Sequence, residues 1–403
     1  MTVATPTLPI ATPTAAESTR WSGSPRMRAL CVLESTNQLY SGIGRNLFET
    51  ARRLTDRIAW EFAIDDRVPK NVDLLVRFGA DHGLPVHVGA GRFVGGQCGP
   101  VNDGLPGLLR SRRWDAVDLV GWANSASHAI VLDEVGDAVV CYTPHDQPTW
   151  TVEFSEAEAA HVAEVHRRVI RRADVVLCDS PAERRSLEAF APDAANCQFV
   201  PLGCDFDAFR AGPPDRRPQL LFVGDLLERR KRFDRVVGVF ERLHNRRPDL
   251  RLVVVGNRSD GVGGLIPGAI RPACDLRGYI SEGELRRTYA ESSGLFLLSD
   301  YEAFGLPIVE ALASGTPVFL HRQDVMLSVF GEVPGAHFCP GDDLDATAAI
   351  VAETLASGPA AIAEVLDGRE RLRSTFGWEP LADRKWQALA TAWFHRHHWP
   401  WRG

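Results

Sequence analysis

The sequence predicts an α/β chain built from two successive parallel-sheet halves that face each other across a cleft. Three observations predict it. Short apolar runs alternate with amphipathic stretches of helix length, the alternation pauses once at a polar, Pro-rich segment, and it then restarts. With 403 residues, 45% hydrophobic and 24% charged, the chain is long enough for two α/β cores of ordinary size.

Residues 1–25 are rich in Thr, Pro, Ala and Ser and have too few large apolar side chains to offset ordering entropy, which predicts a disordered leader. The first domain is expected over 26–205, with strands at Ala29–Leu33, Trp60–Ile64, Pro85–Val88, Ala116–Val120, Ala138–Tyr142 and Val175–Cys178. Residues 206–218 read as a linker because Ala211-Gly212-Pro213-Pro214-Asp215-Arg216-Arg217-Pro218 is polar and breaks both periodicities. A second domain over 219–376 restarts the pattern at Leu220–Val223, Leu252–Val255, Leu295–Leu298 and Pro317–Leu320, with helices near 233–246, 282–292 and 307–314. Ser281-Glu282-Gly283-Glu284 has the capping-box spacing that starts a helix. Residues 377–403 form a terminal helix, about 378–395, and a tail crossing back to the first domain, with Trp393, Trp399 and Trp401 as packing residues.

Lys+Arg 45 against Asp+Glu 52 gives a formal charge of −7, which argues against a nucleic-acid binder that needs a basic face. The stretches Arg110-Ser111-Arg112-Arg113, Arg167-Arg168 and Arg171-Arg172 read as solvated helix faces, with weak peripheral contact to anionic lipid as the other reading. Eight scattered cysteines without a CxxC pair suggest reduced thiols in a cytoplasmic protein. There is no apolar run of membrane-spanning length and no signal-peptide order at the start.

The chemistry is concentrated in Ser299-Asp300-Tyr301-Glu302-Ala303-Phe304-Gly305-Leu306-Pro307-Ile308-Val309-Glu310-Ala311-Leu312, just past a strand. Pro307 suits a first helical position, where its missing N–H costs nothing. Gly305 would let backbone approach a ligand, and the free N–H groups of Leu306, Ile308 and Val309 would point at an anion such as a diphosphate. Glu302 in the loop and Glu310 in the first turn are placed to accept hydroxyls of one bound molecule.

This stretch resembles the signature of the family 4 type of GT-B glycosyltransferases, E-x7-E in a context like E-x-F-G-L-P-x-x-E-A. Glu302 and Glu310 have the spacing, Phe304-Gly305-Leu306-Pro307 matches the interior, and Ser314-Gly315-Thr316-Pro317-Val318 follows. The resemblance implies two Rossmann-like domains, a nucleotide diphosphate sugar as co-substrate with no other cofactor, and transfer with retention of the anomeric configuration. Further matches occur in the family's order. Ser41-Gly42-Ile43-Gly44-Arg45-Asn46 resembles its Gly-rich loop, so Gly42 and Gly44 are expected near the donor phosphate. Thr143-Pro144-His145-Asp146 resembles T-x-H-D, which implies His145 beside the transferred sugar. Phe222-Val223-Gly224-Asp225 through Arg232 resembles V-G-x-(5–6)-R-K and implies Lys231 on the donor phosphates. A fixed cation there would offset charge on the leaving diphosphate in place of a metal. Asp225 stands where many relatives carry a second cation, and Arg230 is the expected substitute, with Arg229 behind it. Val255-Gly256-Asn257 and Arg277-Gly278-Tyr279-Ile280-Ser281 resemble nucleotide-holding loops. Gly278 and Tyr279 are therefore donor-side candidates, with core packing as the other reading for Tyr279.

Asp205-Phe206-Asp207 has the D-x-D form of a metal site but sits in Val200-Pro201-Leu202-Gly203-Cys204-Asp205, which resembles the family's interdomain segment, so no metal is expected. Acceptor contacts are expected from Asn37–Tyr40, 89–104 and Gln147–Thr151, which leave a carbohydrate, lipid-linked or small-molecule acceptor equally open. A phosphorylase or synthase of the same architecture and a non-catalytic nucleotide-sugar sensor are the alternatives.

Overall fold

The computed structural model describes residues 26–34, 39, 42–89, 104–121, 126–145, 155–192, 197–256 and 264–398. The expected leader, Ser41, Asp146, Asn257, Trp399, Trp401 and almost all of the expected acceptor loops lie outside these residues. Among the described residues the first sheet contains β1 (Met27–Leu33), β2 (Ile58–Ile64), β3 (Val86–Val88), β4 (Ala116–Val120), β5 (Val139–Thr143), β6 (Val175–Cys178) and β7 (Cys197–Phe199). The second contains β8 (Gln219–Val223), β9 (Arg251–Val255), β10 (Cys274–Gly278), β11 (Gly294–Leu297), β12 (Val318–His321) and β13 (Ala336–Cys339). Every recorded pairing is parallel.

The central strands are uniformly apolar because helices cover both faces of a parallel sheet: β4, β5 and β11 are buried at every residue. Three strands escaped sequence reading, β7, β10 and β13, and each is a sheet edge. Half-exposed Gln198, Asp275, Arg277 and His337 interrupt their apolar runs.

The orders β3-β2-β1-β4-β5-β6-β7 and β10-β9-β8-β11-β12-β13 share one logic. The chain builds outward from β1 or β8, then crosses back to add β4 or β11 on the other side. Loops leaving the two central strands diverge there, and the crevice at their carboxyl ends is where such sheets take ligands.

The two bodies are tied by two passages of chain. Leu202, Cys204, Phe206 and Phe209 pack into the second core with Tyr289 and Phe376, so the segment entering the linker is anchored. The Cys204 N–H donates to the Phe376 carbonyl over 2.8 Å, joining the outgoing passage to the returning one. Gly203 lies so close to the return that a Cβ there would stand 2.5 Å from the Trp378 ring. The Trp378–His398 helix then buries Ala382, Trp386, Leu389 and Ala392 in the first core, against residues such as Met27 and Trp60. Within that helix Lys385 reaches Asp118 in β4, Nζ to carboxylate 2.7 Å, both side chains buried.

Arg110, Arg112, Arg167 and Arg168 pair with Glu134, Glu61, Glu164 and Asp133 respectively, so these arginine-rich stretches are locally balanced. No single described helix is long and apolar enough to cross a membrane. The seven described cysteines are free and buried.

Candidate active site

At the carboxyl edge of the second sheet, Gly224 and Gly256 directly follow β8 and β9, and β10 ends in Gly278. Gly256 has φ 144° and a Cβ there would fall 1.8 Å from the Gly224 carbonyl oxygen, so only glycine fits. Its N–H donates to the Gly278 carbonyl at 2.9 Å, leaving a strip of bare backbone along three strand ends. Tyr279, next in the chain, is 80% exposed, which settles against core packing.

The loops after β8 and β11 meet at the switch point. Asp225 folds the first loop locally by accepting the Leu227 N–H at 3.0 Å. A 3-10 turn, Arg229–Lys231, follows, and Arg232 closes it in the left-handed region at φ 47°. Lys231 Nζ lies 2.7 and 3.0 Å from the two Glu302 oxygens. Arg230 donates to Glu302 at 3.1 Å, to the Tyr301 carbonyl at 3.0 Å and to Glu228 at 2.6 Å. The Ser299 hydroxyl donates to Glu302 at 2.7 Å. The Asp300 N–H donates to the Arg230 carbonyl at 2.8 Å, and the Arg232 guanidinium reaches Asp300 at 3.1 Å. Two loops about 70 residues apart in sequence are thereby laced into one rigid unit.

The two signature glutamates have opposite electrostatics. Burial alone would raise the Glu302 carboxyl, but the charges of Lys231 and Arg230 and the bonds from Lys231 and Ser299 outweigh it and hold the group below the usual carboxylate range. Glu310, equally buried, is raised: desolvation dominates, and Arg45 with the Tyr289 hydroxyl, 2.9 Å away, only partly offsets it. Glu310 belongs to the second turn of the Leu306–Ala313 helix and not to its first, because the helix begins at Leu306.

Gly305 caps that helix at φ 92°, a conformation that favours glycine. Three expectations around it need correction. The Ile308 N–H is not free, since it donates to the Gly305 carbonyl at 2.9 Å, and its side chain is fully buried. The Phe304 ring cannot line a ligand site, being 1% exposed and packed against Phe330 and Phe376. Leu306 is mostly core too, with its tip against Gly42, where a Cβ would come within 3.0 Å of it.

On the first sheet, Gly42 and Gly44 open the Gly42–Arg53 helix. Gly44 is required by packing rather than by ligand approach, since a Cβ would stand 1.9 Å from the Leu39 carbonyl oxygen. Arg45, one residue on, pairs with Glu310 across the cleft. His145, past the end of β5, takes φ 59°, and its Nδ1 lies 3.0 Å from an Asp179 carboxylate oxygen just past β6. Arg232 and His145 are the non-glycine residues at positive φ among those described, and both sit at the cleft edge, where backbone strain is commonly retained for function.

The D-x-D string is engaged elsewhere. Asp205 accepts the N–H groups of Asp207 and Ala208 at 3.1 and 3.0 Å, and Asp207 pairs with Arg373.

Sequence reasoning missed Arg45, Asp179 and Asp300. Arg45 lies within the Gly-rich loop, but the motif gives it no role, and only the tertiary fold brings it to Glu310. Asp179 could have been found from register, since β5 and β6 pair Tyr142 with Val176 and the same offset carried three residues on sets His145 beside Asp179.

Comparison with known proteins agrees with this geometry. Residues 42–203 match the glycosyl transferase 4-like domain and residues 205–361 match glycosyl transferases group 1. These two matches together take in β2–β7 of the first sheet and all of the second, and the chain belongs to the family 4 type of GT-B glycosyltransferases. It is a nucleotide-sugar-dependent glycosyltransferase. Among characterised relatives, it is 27% identical to glycogen synthase of Mycobacterium tuberculosis over 296 residues, 71% of each chain. It is 26% identical to phosphatidyl-myo-inositol mannosyltransferase of the same organism over 242 residues, 58% of this chain and 61% of that one. The solved structure of HepE from Anabaena in complex with UDP superposes with a TM-score of 0.72 at 14% identity, covering 91% of this chain and all of that one. Sucrose-phosphate synthase from Thermosynechococcus elongatus gives 0.65 at 19% identity, over 90% and 98%.

Proposed function

We propose that this chain is a retaining, metal-independent glycosyltransferase that takes the donor diphosphate at the Leu306–Ala313 helix start, with Lys231 and Arg230 as its cations. The observation that carries this reading is the Lys231–Glu302–Arg230 cluster at the β8/β11 switch point, beside a glycine-capped helix N-terminus. Breaking the sugar–phosphate bond builds negative charge on the leaving diphosphate. Fixed cations and helix N–H groups stabilise that charge more in the transition state than in the ground state. Glu302 is assigned to the sugar, Glu310 to the ribose, and the Gly224–Gly256–Gly278 edge with Tyr279 to the base.

Support for retention without a covalent intermediate comes from Glu302, whose two oxygens already accept from Lys231, Arg230 and Ser299. A carboxylate so occupied is a poor nucleophile, which favours return of the acceptor on the face the diphosphate leaves. The two curated relatives cited above are named as a glycogen synthase and a phosphatidyl-myo-inositol mannosyltransferase, which supports a carbohydrate or lipid-linked acceptor.

The test is a panel of nucleotide sugars assayed in excess EDTA, with thermal midpoint and nucleotide release followed together and the product anomer read by NMR. One donor is expected to raise the midpoint and turn over with retained configuration. Activity that vanishes in EDTA and returns only with Mn²⁺ or Mg²⁺ would overturn the cation assignment, and an inverted product would overturn the mechanism.

A further inference from the structure

The His145–Asp179 pair is a deliberate construction. Both residues are buried, at 5% and 1% exposure, just past adjacent strands of the first sheet, and the parallel register brings them side by side. Asp179 is itself held. Its N–H donates to Glu183 at 2.6 Å, the Glu183 N–H donates to Ser180 Oγ at 3.0 Å, and Ser180 caps the Pro181–Phe190 helix. Glu183 and Ser180 are buried as well. These bonds fix the Asp179 main chain at a helix start, where the dipole favours a carboxylate, and its side chain meets the imidazole at Nδ1. A carboxylate only accepts, so the Nδ1 it faces must carry the proton.

We propose that Asp179 is a positioning residue for His145: it fixes the Nδ1–H tautomer and the ring orientation, leaving Nε2 as a hydrogen-bond acceptor for a hydroxyl of the bound sugar. The proposal rests on the reading that His145 contacts the transferred sugar. It adds what that contact must be. With its single proton on Nδ1 the ring can accept a sugar O–H through Nε2 but cannot donate to a ring oxygen or ether, so the group recognised is a free hydroxyl. No covalent step and no net proton transfer are involved.

The first test needs no ligand. In the full-length protein with ¹⁵N-labelled histidine, the His145 signal, assigned by its loss in His145→Gln, should show the Nδ1–H tautomer. In Asp179→Asn it should become a mixture or the Nε2–H form, since an amide can present a donor to Nδ1. Wild-type protein in the Nε2–H form would overturn the proposal whatever the variants do, so a variant that fails to fold leaves it exposed to test. The second test uses whichever of UDP-glucose, GDP-mannose and ADP-glucose turns over. Asp179→Asn is expected to lower kcat by about 10–100-fold, the scale of one buried hydrogen bond to a charged group, with the KM for donor nearly unchanged. Asp179→Glu should recover part of the loss. In a His145→Ala background, Asp179→Asn should cost nothing further, whereas a purely structural Asp179 would still cost its full amount. Undiminished turnover in His145→Ala would sink the sugar-contact reading itself, while an impaired His145→Ala with a fully additive Asp179→Asn would sink only the positioning role.

Discussion

The carboxyl edges of the two sheets carry their candidate site residues in different ways. On the second sheet, Glu302, Gly305 and Glu310 come from one continuous stretch, and a single short turn, Arg229–Lys231, brings Arg230 and Lys231 to Glu302 across the switch point. On the first sheet, Arg45, His145 and Asp179 come from three separate segments and meet their partners only through strand register or across the cleft. Anion recognition at a helix start is a local device and leaves a local motif. Recognition by side chains from neighbouring strand ends leaves no contiguous trace.

The sharpest way to break this contrast is Lys231→Ala. If the second sheet's edge carries charge development, turnover should fall by about 10²–10³-fold with donor affinity changed much less. Normal turnover would reduce the basic turn to a solvated helix start. Glu302→Gln comes next. Because Glu302 holds Lys231, Arg230 and Ser299 together, the expected loss is about 10–150-fold in turnover, and it should be less than additive with Lys231→Ala. Glu310→Gln should instead weaken nucleoside diphosphate binding, read by calorimetry, and unchanged binding would remove the ribose assignment.

Acid stability separates the two sheets by a different route. Burial pushes His128 down to about 3, helped by the charge of His166, and His166 down to about 4, helped by Arg167; both lie in the first sheet's body. Folded pKa values below the unfolded value near 6.5 mean that the unfolded chain binds more protons, so stability is full above that pH and lost as pH falls towards about 4. Each histidine contributes about 1.4 kcal/mol per pH unit over that window. The first sheet should therefore melt before the second on acidification, and His128→Gln should flatten the slope of stability against pH by about one proton. Coincident unfolding of both bodies with an unchanged slope would refute it. The smallest effect is expected at Arg45. Removing it frees one oxygen of Glu310, and since the arginine is half-buried the pair is worth little, so Arg45→Ala should tighten nucleoside diphosphate binding by no more than about 10-fold. Weaker binding would mean that Arg45 assists the donor instead.

The fold class was legible because buried parallel strands are apolar throughout, and the strands that escaped were edges bearing Gln198, Asp275, Arg277 and His337. The candidate site was legible where a motif dictates backbone conformation, at Gly305 and the strand-end glycines. It was misread where a motif residue is shared between ligand approach and packing. Phe304 and Ile308 lie inside the motif yet face the core, and Gly44 answers to Leu39. A spacing pattern cannot tell these uses apart, because both demand the same residue type.

The helix that crosses back gives the chain an unusual order of completion. Asp118 lies in the central strand β4, and its ammonium partner Lys385 arrives from the other end of the sequence. Until Trp378–His398 has been synthesised, the first sheet lacks one wall of its core, and Asp118 lacks the cation against which it is buried. The half of the protein made first is thus the half that finishes last. A ribosome-bound nascent chain stopped before Trp378 should protect the second sheet from protease while leaving the first open to it.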